Sequence, residues 1–343
     1  MKRTRSGGSD GSDHPTIIDV AKRADVSKSL VSLVLRGEGH VSEEKRRAVL
    51  RAAREVQYRP NAVARSLVRK RSFVIGVMLS DLHNPFFVEV VDGIEQEAHA
   101  AEYHALFNTG GRTAAGEAAA IESLLQLRTD GLILASPVLP LRAIRAAAAN
   151  APVVLVARPS RGPEVDSVTN NDRVGAQLAV DHLAGLGHRR IAHIDGGKGA
   201  GAAARRAGYK RAMTRHGLAH ECLVVPGEFT EEGGAGGVQA LIREVLPTAI
   251  FAANDLAAVG ALHALEARGL RVPEDVSLVG YDNTGLAALG HINLTTVDQP
   301  SHLIGATAVR LLLDRLDGGR GRSRHVLVPP LLVIRGTTAP APG

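Results

Sequence analysis

Residues 16–61 read TIIDVAKRADVSKSLVSLVLRGEGHVSEEKRRAVLRAAREVQYRPN. Thr16 is an N-cap residue with an acid, Asp19, three positions on, the pattern of a capping box. Ile17, Val20, Ala21 and Ala24 then recur at helical spacing. Asp25-Val26 makes a short turn, and Ser27 caps a second helix from Lys28 to about Arg36, with Leu30, Val31, Val34 and Leu35 as its apolar side. Gly37-Glu38-Gly39 ends it. A third helix rich in Glu, Lys, Arg and Ala runs from Ser42 to about Gln57 and is stopped by Tyr58-Arg59-Pro60-Asn61. Two short helices with a tight turn and a supporting third helix form a helix-turn-helix, which places the second helix in a DNA major groove. Lys28, Ser29, Ser32 and Leu33 point away from the apolar side or lie at its margin. The helix N-terminus adds free N–H groups for a phosphate. Three amphipathic helices also serve elsewhere as plain packing units, so the charge of the segment has to decide.

That charge is concentrated. Residues 1–72 hold 17 Lys/Arg against 8 Asp/Glu, a net +9, whereas the rest holds 24 against 27, a net −3. The overall +6 conceals a basic head on a mildly acidic body, and a basic, periodic head suits a polyanion such as DNA. Residues 1–14 are polar, Gly/Ser-rich and patternless, a disordered tail by composition.

The 343 residues are too many for one core. With 45% hydrophobic and 22% charged residues the composition is that of a globular chain, and 3% aromatics without Trp means a core of Ala, Val, Leu and Ile. The lone Cys222 cannot form an internal disulfide, which points to a reducing, cytoplasmic setting. No apolar run has the length of a membrane span, and Gly, Ser and Asp follow the basic start where a signal peptide needs an apolar stretch.

Beyond Ser72 apolar strands alternate with helices. FVIGVM (73–78) is a buried strand of the parallel type. Helices are predicted at 86–101, 114–127 and 141–149, and strands at 105–108, 131–135 and 153–156. The alternation restarts at 190–194, with helices at 202–215, 234–245 and 256–268 and strands at 224–225, 249–252 and 276–280. Two βαβ series imply two doubly wound lobes of parallel sheet, an α/β body behind an all-α head. Ligands of such sheets bind beyond the strand C-termini, here in the cleft between the lobes. Asp81, Asn84, Ser136, Asn254 and Asp282 each follow an apolar strand or lie in the turn it leads into, so they face that cleft. Such mixed donors and acceptors suit a polyol. Phe86 or Phe87 is placed to stack on a sugar or base face, the other being core. Asn254-Asp255 also reads as the cap of the following helix, Asp255 the more cap-like of the two.

The head, followed by NAVARSLV at 61–68, resembles the LacI/GalR (lactose/galactose-repressor) family. The resemblance implies a DNA-facing set of Thr16, Ser27, Lys28, Ser29, Ser32, Leu33, Asn61 and Ala64, with Lys28 and Ser29 reading base edges. It implies a hinge helix in 60–71 that orders on operator DNA in a homodimer. Leu67 would be the apolar wedge that kinks the duplex; the alternative is a packing residue, although Arg65, Arg69, Lys70 and Arg71 leave little apolar surface around it. Two positions depart from the family: Leu30, often Thr, and Leu33, often Arg.

The body, through DLHNPFF (81–87), DGLILASP (130–137), RRAGY (205–209), AANDLAAVGALHAL (252–265), SLVGYDNT (277–284) and LTTVDQP (294–300), resembles the periplasmic-binding-protein-like sugar-binding fold of the same family. The stretch SVTNNDRVGAQLAVDHLAGLGHRRIAHIDG at 167–196 belongs to the same resemblance. It implies a small-molecule effector, a sugar or sugar derivative, held by Arg205, Asp282 and Asn254 with Phe86, Phe229 and Gln299. Where many relatives carry an acid after the fourth strand this chain has Ala157-Arg158, and Arg158 would favour an anionic group on the effector. The expected division is 1–14 tail, 15–59 head, 60–71 hinge, 72–335 body and 336–343 tail.

Other patterns carry less. Gly197-x-Gly199-x-x-Ala202 follows a strand, but no acid ends the next one, as a dinucleotide site requires. Gly7–Gly11 fits an esterase pattern in the wrong context. His216, His220 and Cys222 have metal-like spacing, but Gly217 ends the helix between the histidines. No catalytic constellation, cofactor or metal is expected; the chain reads as a regulator rather than an enzyme. A free sugar-binding protein would need a secretion signal and no basic head.

Overall fold

Thr16 and Asp19 start the first helix as their spacing requires. In the computed structural model, which describes residues 15–36, 39–58, 71–160, 165–244, 246–319 and 321–342, the Asp19 carboxylate accepts from the Thr16 backbone N–H (2.8 Å) and hydroxyl (2.7 Å). The Thr16 hydroxyl, then its amide, hold Asp19 below the usual carboxylate range. Helix α1 (Ile17–Ala24) ends at Asp25, whose φ of 53° reverses the chain. Asp is among the few non-glycine residues that take this left-handed conformation readily. Ser27 Oγ then accepts from Leu30 N (3.2 Å) and opens α2 (Lys28–Arg36); α3 (Glu43–Glu55) follows. Val20, Val31, Val34 and Val49 form the centre of this small core with Ala21, Ala52 and Ala53. Each buried valine contributes about 1.5–3 kcal/mol. Leu30, apolar by pattern, is only half-buried and stays outside that core.

The chain divides into two units, Met1–Ser72 and Phe73–Gly343. The second unit holds two six-stranded sheets. The first sheet has the order β11-β5-β4-β3-β1-β2, with β1 Val74–Leu79, β2 His104–Thr109, β3 Gly131–Ala135, β4 Val153–Val156, β5 Asp166–Asn170 and β11 His325–Val328. The second repeats it as β12-β10-β9-β8-β6-β7, with β6 Ile191–Ile194, β7 Leu223–Val225, β8 Ala249–Ala252, β9 Ser277–Asp282, β10 Thr295–Asp298 and β12 Leu331–Val333. All described pairings are parallel except β12 with β10. Helices α4 (Pro85–Ala100), α5 (Ala114–Gln126) and α6 (Leu141–Ala148) belong to the first lobe, and α7 (Asp172–Gly185), α8 (Ala202–Arg215), α9 (Glu231–Glu244) and α10 (Asp255–Glu266) to the second.

The chain crosses between the lobes three times: after β5, after β10, and between β11 and β12. The second crossing delivers α11 (Ser301–Leu316) against α4. Ile304, Ala308, Val309 and Leu312 bury there with β1 and α4 residues. The two helices nearly touch: a Cβ on Gly93 would stand 2.1 Å from the His302 carbonyl oxygen, and one on Gly305 2.1 Å from that of Val90. Only glycine allows this approach.

The alternating series expected from the sequence is present, with ends displaced by a few residues. The sequence pattern assigned no element to β5, α7, β10, α11, β11 or β12. The reason is composition. DSVTN in β5 and TTVD in β10 are polar, yet they are almost wholly buried. Asp166 of β5 is buried because Arg315 Nε and Nη2 (2.8 Å each) and the Arg324 N–H (2.6 Å) meet its carboxylate. Residues 336–342 are part of the second lobe rather than a tail. Thr337 Oγ1 donates to Leu278 O (2.7 Å) and accepts from Thr295 N (2.9 Å), and Ala341 N donates to Leu186 O (2.9 Å). The tail 1–14 and most of the hinge lie outside the described residues. Among the described residues no helix is long and apolar enough to cross a membrane.

Candidate functional site

The strand ends of both sheets converge on a cavity of about 540 Å³. From the first lobe, β1 delivers Ser80 and Asp81, and β3 and β4 end at Ser136 and Ala157, whose φ values of 53° and 56° turn the chain sharply at the rim. Asn84 Oδ1 caps α4 by accepting from Phe86 N (3.0 Å). Phe86 and Phe87 form an edge-to-face pair 5.3 Å apart, both line the cavity and both are more than nine-tenths buried. At the mouth Arg112 lies 3.8 Å from Asp81 Oδ2 and reaches across to Glu228 Oε2 of the second lobe at 3.5 Å.

The second lobe presents buried charge. Arg205 lies on α8, 5% exposed. Its Nε donates to Asp172 Oδ1 (2.9 Å), its Nη1 donates to Ala253 O (2.6 Å) and stands 3.6 Å from Asp282 Oδ1. The guanidinium covers the Tyr281 ring at 3.7 Å and faces Phe229 at 5.3 Å. Phe229 itself packs on the bare loop after β6: a Cβ on Gly196 or Gly199 would stand 2.4 Å from its ring. Gln299 Nε2 donates to Asp282 Oδ1. Asn170 Nδ2 donates to the Tyr281 hydroxyl (2.6 Å), while Asn170 Oδ1, buried in the cavity wall, has no partner among protein atoms.

One guanidinium thus serves two carboxylates, Asp172 and Asp282, with a third buried acid, Asp255, close behind. Burial pushes Asp282 above the ordinary range; Arg205 opposes this, and Asp255 and Asp172 reinforce it. Burial also raises Asp255, although Thr296 and Thr284 hydrogen bonds oppose it. Arg205 is held protonated more firmly than a free arginine because Asp172 and Asp282 outweigh its desolvation. The wall sets two carboxyl groups, Asp172 and Asp282, against one guanidinium, so oxygen atoms are left over for a ligand rich in hydroxyl groups.

On the first unit, Lys28 and Ser29 are exposed at the start of α2, Ser32 and Leu33 are half-buried, and Thr16 and Ser27 are exposed. This leaves a polar, cationic helix N-terminus facing solvent.

Residues 16–61 match the model of the bacterial regulatory proteins of the lacI family, and residues 180–338 that of a periplasmic binding protein-like domain. The transcriptional repressor PurR of Erwinia tasmaniensis is 36% identical over 336 residues, covering 95% of this chain and 98% of that one. The ribose operon repressor of Haemophilus influenzae is 35% identical, covering 93% and 97%. The chain belongs to the LacI family. Its structure superposes on the lac repressor dimer bound to operator and the anti-inducer ONPF with a TM-score of 0.85, 32% identity, and coverage of 95% and 99%. A LacI family regulator of Enterococcus faecium with bound ribose gives 0.72 at 29% identity, covering 78% and 100%. Its homologues are named transcriptional repressors and regulators, not enzymes.

Of the residues expected to meet a LacI-type effector, Asp81, Asn84, Phe86, Ser136, Arg205, Phe229, Asp282 and Gln299 line the cavity. Arg158 and Asn254 do not. Arg158 Nη1 donates to Pro137 O (2.6 Å) and Leu139 O (2.5 Å), so its charge is engaged with backbone and is not directed at a ligand. Asn254 Oδ1 caps α10 through Ala257 N (2.9 Å). Asp255, expected as the cap, instead accepts from Thr284 N (2.7 Å), Thr284 Oγ1 (3.1 Å) and Thr296 Oγ1 (2.5 Å). The pattern missed Asp172, Asn170, Arg112 and Lys198 in the lining. Asp172 and Asn170 were hidden with β5; an Asn-Asn-Asp run ahead of the helical GAQLAV period is the cue that finds them. His216, of the metal-like trio, bonds Asp181 (2.7 Å), and no cluster able to hold a metal ion occurs among the described residues. Asn61, Ala64 and Leu67 lie outside the described residues.

Proposed function

We propose that the protein is an effector-responsive transcription regulator, a cytoplasmic homodimer binding a pseudo-palindromic operator, with a sugar-like molecule between the two lobes shifting operator affinity. One observation carries this reading. A helix-turn-helix whose second helix exposes Lys28 and Ser29 shares its chain with a cavity whose walls belong to two sheets joined by three crossings. A ligand that prefers one arrangement of the two lobes shifts the protein toward it, by no more than its difference in affinity for the two arrangements. The oxygen-rich second wall favours an uncharged polyol, and the ribose bound to the Enterococcus faecium regulator is a molecule of that kind. Following the family resemblance, Asn61, Ala64 and Leu67 of the hinge contact DNA.

The test is operator binding by the full chain with and without each member of a panel of pentoses, hexoses, disaccharides and nucleosides. A sugar should change operator affinity and raise the melting temperature. A response confined to nucleosides overturns the sugar assignment; DNA binding with no preference for an operator overturns the regulator. Raised salt should weaken DNA binding steeply and the binding of an uncharged sugar little.

A further inference from the structure

Between β3 and α6 the chain runs Ser136-Pro137-Val138-Leu139-Pro140, and its two prolines leave only the Val138 and Leu139 amides between them. Both go to one carboxylate. Val138 N donates to Glu117 Oε2 (2.8 Å) and Oε1 (3.0 Å), and Leu139 N to Oε2 (3.0 Å). Glu117 stands on α5, fully buried, and also accepts from Ser80 Oγ (2.9 Å) at the end of β1. The carbonyls on the other side of the segment, Pro137 and Leu139, both accept from the Arg158 guanidinium. Two side chains of opposite charge therefore hold one loop from its two sides. The loop is a cavity wall: Ser136 and Val138 line the cavity, while Leu139 is buried in the core beneath.

We propose that Arg158 and Glu117 are a positioning pair that sets the first-lobe wall of the effector cavity, so that effectors are selected there by shape and hydroxyl placement against Ser136 and Val138 rather than by charge. The selection rests on reading the cavity as the effector site; the clamp does not. A buried carboxylate and a half-buried guanidinium both engaged with backbone have little capacity left for a ligand. Ser80, bonded to the same carboxylate, links the wall to the β1 end, so the two strand ends move together.

The clamp is tested on the full chain without ligand by amide exchange. Arg158→Ala should speed exchange at Val138 and Leu139 at least tenfold, although the direct partner of those amides is Glu117, and leave the amides of β3 unchanged. Arg158→Lys should fall between. Unchanged exchange at Val138 and Leu139, or an equal acceleration throughout β3, overturns the clamp. Selection is tested by thermal shift with D-ribose, D-glucose and cellobiose. Arg158→Ala should change their order; a uniform loss with the order kept overturns the selective role. If none of them shifts the unaltered protein, the selective role fails along with the choice of sugar, while amide exchange still decides the clamp.

Discussion

The two sheets of the body share one strand order, yet the walls they present differ. The first lobe meets the cavity with hydroxyl, aromatic and aliphatic groups and, toward the mouth, with Asp81 and Arg112; the acid behind its wall, Glu117, is engaged with backbone amides and a serine hydroxyl. The second meets it with Arg205, Asp172 and Asp282, paired side chain to side chain. Behind each wall a buried carboxylate, Glu117 or Asp255, fixes a strand-end loop. The same topology can therefore make a wall whose deep part is neutral or one that is charged throughout, and the difference lies in whether carboxylates meet amides or a guanidinium.

The largest expected effect falls on the charged wall. Arg205→Ala leaves Asp172 and Asp282 without their cation and should destabilise the body by about 3–5 kcal/mol as well as abolish the ligand response. Asp282→Asn should abolish the response too, but leave the unliganded protein as stable as before or more so, because a carboxylate held above its ordinary range costs stability once ionised. Urea unfolding of both variants decides this; equal losses would mean that the charges balance pairwise. Operator binding without effector should survive both.

The lobes should also part under acid. His193 on β6 is fully buried between Phe251 and Tyr209, and burial pushes it down to about 4, against the hydrogen bond to Phe251 O. His188 and His182, which bond the C-terminal segment, are lowered by burial as well. A lowered histidine contributes stability that is present above its unfolded value of 6.5 and is lost as pH falls through its folded one. His193 alone accounts for about 3 kcal/mol across that window. Unfolding midpoints of the wild type and His193→Phe between pH 7 and 4 test it; parallel curves would remove His193 from the account. No histidine of the first lobe is fully buried, so amides of the second should exchange first at low pH.

A smaller contrast separates the two buried acids. Glu117→Gln sets an amide NH2 toward backbone N–H donors and should cost about 1–3 kcal/mol. Asp255→Asn should cost less, since Asp255 is raised by burial and two of its three donors are hydroxyls that can turn to accept. The reverse order of melting temperatures would break the parallel between them.

Much of this was legible in the sequence because the strands that carry it are apolar. β3, β4 and β8 are wholly buried runs of Val, Ile, Leu, Ala, Phe and Gly, and the residues that follow them turn toward the cavity, as Ser136 does. The head was legible through its caps, because Thr16, Asp19 and Ser27 act on neighbours within a few residues. What stayed hidden depends on partners far along the chain. DSVTN cannot be read as a buried strand without Arg315 and Arg324 to neutralise Asp166, and with β5 unseen Asp172 had no place at the cavity. Arg158 pointed to an anion only because the carbonyls it binds belong to another loop.

The smallest effect belongs to a contact that joins the walls at the mouth. Arg112 bridges Asp81 and Glu228 at 3.8 and 3.5 Å, with the arginine 45% and the glutamate 62% exposed. Exposed pairs of this kind contribute up to about 1 kcal/mol and are screened by salt. Arg112→Ala should therefore weaken effector binding less than tenfold at low salt and hardly at all at 0.5 M salt, with the protein's stability unchanged. Titration of the bound sugar at two salt concentrations measures it. A loss that persists at high salt would give Arg112 a direct hydrogen bond to the ligand, and the first lobe's charge at the mouth would then act on the ligand itself.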